Sequence, residues 1–116
     1  MTVKEFYERL GEDYNEVFER IGNDAWIVKY LKKFVNDGSH ESLNTGFKAA
    51  DWDTVFRTSH SMKGIAVNLG LIKLSNVSAN LCETVRNGAP ETDVTDLVKA
   101  VNDEYNRVLS AIVEIE

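Results

Sequence analysis

Apolar residues recur every three or four positions along nearly the whole chain, the spacing that lines one face of an α-helix. No run alternates apolar and polar residues between turns, so strands are not expected. Two short helices are predicted first, Thr2 to Leu10 and Asp13 to Ile21, anchored by Phe6, Leu10, Val17, Phe18 and Ile21. Gly22 reads as a stop and Asn23 or Asp24 as the next cap. A third helix turns Ile27, Tyr30, Leu31, Phe34 and Val35 toward the core, and Gly38-Ser39 repeats the stop-and-cap pattern. A fourth runs through Leu43, Phe47 and Ala50, and Asp51 is placed to cap a fifth by accepting from the amide of Asp53 or Thr54.

The fifth helix carries a seam of Trp52, Val55, Ser59, Met62, Ala66 and Leu69 and ends at Gly70. Its partner carries Leu71, Leu74, Val77, Ser78, Leu81 and Val85 and stops at Gly88, with Pro90 beyond. Thr92 can cap a last helix, with Asp93 in its first turn, and the seam of that helix runs from Val94 through Leu97, Val98, Val101, Tyr105, Val108 and Ile112 to Ile115. The closing Val113-Glu114-Ile115-Glu116 is expected to fray. Short connections between such helices favour antiparallel neighbours. The expected fold is therefore all-α: an antiparallel up-and-down four-helix bundle with additional short N-terminal helices, one domain over residues 1–116.

Beside the seam of the fifth helix lies a second stripe, Phe56, His60, Lys63, Gly64 and Val67. Residues three and four apart share a helix surface, so an imidazole, an ammonium and a residue without a side chain meet on one patch. An imidazole can attack an activated phosphate, and an ammonium can partly neutralise the roughly −2 charge that phosphate brings. Glycine inside a helix costs about 1 kcal/mol relative to alanine, so Gly64 calls for a reason, and room for an approaching partner supplies one. Close helix packing is the competing reason. His40 has no Lys-Gly companion and is expected to be structural or incidental.

The run Asp51-Trp52-Asp53, Arg57-Thr58-Ser59-His60-Ser61-Met62-Lys63-Gly64, Asn68-Leu69-Gly70 and Leu74 resembles the signature of histidine-containing phosphotransfer (HPt) domains, over about residues 24–88. That family has His-x-Leu-Lys-Gly followed by Asn-Leu-Gly in a four-helix bundle, and Met62 here replaces the usual leucine. The resemblance implies that His60 is the phosphoacceptor, Lys63 steadies the phosphoryl oxygens, Gly64 gives clearance and Gly70 is the turn after the active helix. Phe56, Arg57, Val67 and Asn68 are the expected docking rim. The implied partners are the receiver domains of a hybrid sensor kinase and of a response regulator. No kinase activity, cofactor or metal is implied on this chain, because magnesium belongs to the receiver. Late in the partner helix, Leu81-Cys82 stands where many members have Leu-Glu, a departure expected to concern packing rather than chemistry.

Composition narrows the alternatives. With 116 residues, 43% hydrophobic and 28% charged, the chain matches a globular domain. Its net charge of −6 argues against nucleic acid. The opening Met-Thr-Val-Lys-Glu-Phe lacks the apolar run of a signal peptide, and no segment suits a membrane span, so a cytoplasmic location is expected. The domain needs no dimer to work, so a monomer is expected. The lone Cys82 cannot form an internal disulfide and is expected to be partly buried. A small hydrolase or metal enzyme using His60 is the weaker reading, since no second histidine, cysteine or carboxylate falls at suitable spacing beside it. An adaptor bundle with an idle His60 is the remaining one.

Overall fold

The computed structural model describes residues 1–116 as seven helices: α1 (Val3–Leu10), α2 (Tyr14–Ile21), α3 (Asp24–Val35), α4 (Ser39–Lys48), α5 (Trp52–Asn68), α6 (Ile72–Thr84) and α7 (Thr95–Ile112). Helices α4 to α7 form the bundle, and their cross-contacts give its sense. His40 Nε2 lies 2.7 Å from Asn102 Oδ1, Asn44 donates to the same oxygen at 3.0 Å, and the His40 ring stacks on Tyr105 at 3.8 Å. Between α5 and α6, the Ser75 hydroxyl donates to the Lys63 carbonyl at 3.0 Å, and the Cys82 thiol faces that of Phe56. In each pair, rising numbers on one helix meet falling numbers on the other, so the neighbours are antiparallel. His40 is thereby part of the frame, as expected.

The core unites all seven helices, with Phe6, Tyr7, Val17, Ile27, Leu31, Leu43, Val55, Met62, Leu74, Leu81 and Val101 sealed from solvent. Each such aliphatic or aromatic side chain contributes about 1.5–3 kcal/mol through removal from water. The N-terminal helices are thus part of the same core as the bundle, and the chain ends are tied together. The Met1 ammonium donates to the Glu114 carbonyl at 2.7 Å, the Glu116 amide donates to the Met1 carbonyl, and Arg9 pairs with Glu114. The expected fraying of Val113–Glu116 is corrected accordingly.

Other local expectations also need correction. Phe18 and Tyr30 are exposed rather than core residues. Helix α2 touches the core along a single line and buries only Val17. In α3 the stripe Ile27, Leu31, Phe34 faces inward, which leaves Tyr30 at its edge, packed against Trp26. Ser39 is the first residue of α4 rather than its cap: Gly38 holds the cap position, and Asp37 accepts from the Ser39 amide. Ala50 lies beyond α4, exposed and in the left-handed region at φ 54°. Helix α6 ends at Thr84, before the turn that reaches Gly88. Thr92 does not cap α7, which begins at Thr95, where the Asp93 carboxylate accepts from both the amide and the hydroxyl. Cys82 is buried outright rather than in part.

Gly70 makes the tightest connection, between α5 and α6. Leu69 and Leu71 on either side are both buried, so the chain must reverse within the core. At φ 70° the backbone is in the glycine region, and a Cβ there would lie 2.0 Å from Val17 Cγ2. We expect Gly70→Ala to destabilise the protein by about 2–4 kcal/mol, combining left-handed strain with overpacking. Gly88→Ala, at φ 100° with open space around it, carries the strain alone. Urea unfolding of both variants checks this; equal losses would refute the packing argument.

Candidate functional site

Helix α5 starts as its sequence predicts, with the Asp51 carboxylate accepting from the Thr54 amide at 3.2 Å and from its hydroxyl at 2.7 Å. Those bonds hold the Asp51 carboxyl below its ordinary range. One turn on, Asp53 pairs with Arg57 at 2.9 Å. Val55, Ser59, Met62 and Ala66 then bury one side of the helix, while Trp52 is half-buried at its start. The Ser59 hydroxyl donates to the Val55 carbonyl at 2.7 Å, so that side carries no unpaired polar group.

The other end of α5 is clamped by the N-terminal helices. The last carbonyls of a helix have no partner within it. Here the buried Tyr7 hydroxyl donates to the Leu69 carbonyl at 2.6 Å, and the Arg20 guanidinium donates to Asn68 at 2.8 Å and to Val67 at 3.3 Å. Burial pushes the Tyr7 phenol well above its usual pKa, so it stays a neutral donor. A cation at this position also complements the negative end of the helix dipole.

Between these two fixings, His60, Gly64, Val67 and Asn68 are exposed, and Phe56 and Lys63 are half-buried. His60 stacks on Phe56 with ring centroids 6.0 Å apart, and the Arg86 guanidinium lies 5.7 Å from the same Phe56 ring. His60 Nδ1 faces inward to Cys82 Sγ at 4.0 Å, and Nε2 has no protein partner. Around the imidazole, Arg57 and Arg86 are committed to Asp53 and Glu83, whereas Lys63 forms no ion pair. The Glu83 carboxyl is held below its usual range chiefly by Arg86, with a smaller contribution from Lys63. The patch thus presents one free imidazole nitrogen and one uncommitted ammonium, one helical turn apart.

A Cβ at Gly64 would meet nothing within 4 Å. Close packing against another helix of this chain is therefore not why glycine stands there. Not every predicted rim residue reaches the imidazole. Arg57 points back along α5, and Asn68 is held through its backbone carbonyl while its side chain bonds to nothing. Gly70 is buried and serves the turn, apart from the exposed patch. No three His, Cys, Asp or Glu side chains converge where they could hold a metal ion.

Tyr7, Arg20 and Arg86 are not singled out by the sequence as functional residues, and Cys82 is assigned there only to packing. For Cys82 a signal exists, since His60 and Cys82 both lie eleven residues from Leu71. A tight reversal there sets them abreast on antiparallel helices. Arg86 follows one turn later on the same side. Tyr7 and Arg20 had no such signal, because their partners are backbone carbonyls far along the chain.

The family model described as Hpt domain matches residues 29–111. The match runs beyond the motif-bearing stretch into the last turn of α7. No curated protein and no solved structure matches the chain.

Because its surroundings are empty, Gly64 acts on stability only through backbone entropy. We expect Gly64→Ala to raise stability by about 0.5–1 kcal/mol, the helix-propensity difference. Denaturant titration checks this, and a loss of stability would show that glycine is required by the fold itself.

Proposed function

We propose that this chain, which belongs to the Hpt domain family, carries a phosphoryl group on His60 between aspartates of two receiver domains. Histidine phosphotransfer within a phosphorelay is the family's role. The observation that carries the assignment to this residue is His60 itself, exposed, with Nε2 unpartnered, Lys63 one turn away and open space over Gly64.

The chemistry follows from those atoms. The Nε2 lone pair attacks the phosphorus of a receiver's aspartyl phosphate. An N–P bond forms, the P–O bond to the aspartate breaks, and the carboxylate leaves with the electron pair. The reverse step delivers the group to the second receiver. Lys63 offsets charge on the phosphoryl oxygens, an interaction that strengthens as the charge-assisted contact forms. Gly64 lets the partner's backbone approach, while Val67 and Phe56 give the rim apolar surface and Arg57 and Asn68 its polar edge. Magnesium and the acids that bind it belong to the receiver, so this chain needs neither a cofactor nor kinase activity. The chain acts as a single-domain monomer in the cytoplasm. No helix is long and apolar enough to cross a membrane.

Incubation with a phosphorylated receiver is expected to label the protein at an acid-labile, base-stable site, and His60→Gln to abolish the label. Label retained in that variant refutes His60 as the acceptor, and none taken up by the wild type from any receiver tested favours the adaptor reading with an idle His60. Lys63→Ala is expected to slow transfer roughly tenfold, about 1.4 kcal/mol of lost charge stabilisation. Gly64→Leu should block transfer without lowering the unfolding midpoint, because a side chain there enters the partner's space and no other.

A further inference from the structure

The inner edge of the His60 ring faces Cys82 of α6, with Sγ 4.0 Å from Nδ1. Cys82 is 1% exposed, and its thiol also faces the Phe56 carbonyl at 3.9 Å. These two neighbours have complementary needs. A carbonyl can only accept, so the thiol proton goes to Phe56. The sulfur lone pairs then remain for a donor, and the group facing them is Nδ1. The contact is long and weak by hydrogen-bond standards, yet it is the only polar contact the imidazole makes within the protein.

We propose that Cys82 is a positioning residue for His60, accepting from Nδ1–H and so keeping the lone pair on the outward Nε2. A neutral imidazole carries one proton shared between two nitrogens, and in water the Nε2–H form is the preferred one. That form has no lone pair where the incoming phosphorus would arrive. Holding the proton on Nδ1 removes the mismatch before the partner docks. When Nε2 attacks, the ring becomes a phosphorylated imidazolium whose Nδ1–H carries more positive charge, and the same sulfur is beside it. The proton stays on Nδ1 or leaves to water; none is taken by the thiol. Phe56, stacked on the ring, and the turn at Gly70–Leu71, which sets α5 and α6 in register, fix the geometry. The departure at Leu81-Cys82, expected to concern packing, thus bears on the chemistry.

This inference rests on His60 as phosphoacceptor, and its test separates the two. The ¹⁵N and ¹³C shifts of the neutral His60 ring, recorded on the full chain, report the tautomer without any phosphoryl donor. The wild type is expected to be mainly Nδ1–H. Cys82→Ala should move the population toward Nε2–H and slow uptake from a phosphorylated receiver roughly threefold to fivefold, the scale of one weak contact. Cys82→Ser, which keeps an acceptor, should restore most of both. A purely structural role for Cys82 would lower the unfolding midpoint and leave the tautomer unmoved. An unchanged tautomer ratio in Cys82→Ala overturns the inference, as does an unchanged rate despite a shifted ratio. Should the tautomer respond as expected while His60→Gln still takes up phosphate, the carrier role fails and the ring's positioning stands.

Discussion

Helix α5 is held along its sides and at both ends, and left bare on one stripe, and the rest of the protein is arranged around that requirement. Helices α4 and α6 take its flanks, burying Val55, Ser59, Met62 and Ala66. Asp51 closes its first turn, and Tyr7 and Arg20 close its last. A helix fixed at so many points presents its remaining stripe as a rigid surface, which is what a group held for transfer requires. The cost of leaving that stripe uncovered is modest, because its one large apolar ring, Phe56, is half-buried and the rest is an imidazole, a glycine, one valine and polar side chains.

The two short N-terminal helices gain their purpose from the same requirement. Neither would persist alone at eight residues, given the unfavourable nucleation of isolated helices. Packed on the end of the bundle, they seat Tyr7 and Val17 against the Gly70 turn and bring Arg20 over the carbonyls that α5 leaves unpaired. The pairing of Met1 with Glu114 and of Arg9 with the same residue ties them to the end of α7. Support for the site therefore comes from segments remote in sequence.

Charge is organised on a smaller scale than the net value of −6 suggests. Arg57 and Arg86 have their own carboxylates within one turn, exposed pairs that stabilise little by themselves. They leave Lys63 as the uncommitted cation beside His60. An overall negative molecule can thus keep one local point for an anion, because exposed charges beyond about 10 Å are largely screened at ordinary salt.

The helices, their apolar stripes and the His60-Lys63-Gly64 patch were legible along the chain because they depend on residues three or four apart, and helical geometry alone brings those together. The turn at Gly70 that follows α5 and the cap at Asp51 that precedes it were legible for the same reason. What lay outside reach were contacts between remote positions that no spacing along the chain announces: Tyr7 and Arg20 on the carbonyls of α5, and Met1 on Glu114. The exposure of Phe18 and Tyr30 belongs with these, since periodicity tells which side of a helix is apolar but not how wide a strip its neighbours cover. Local spacing determined the chemistry on the surface of α5. The packing of distant segments decided which way its imidazole faces, because only a folded core sets α6 and the N-terminal helices against it.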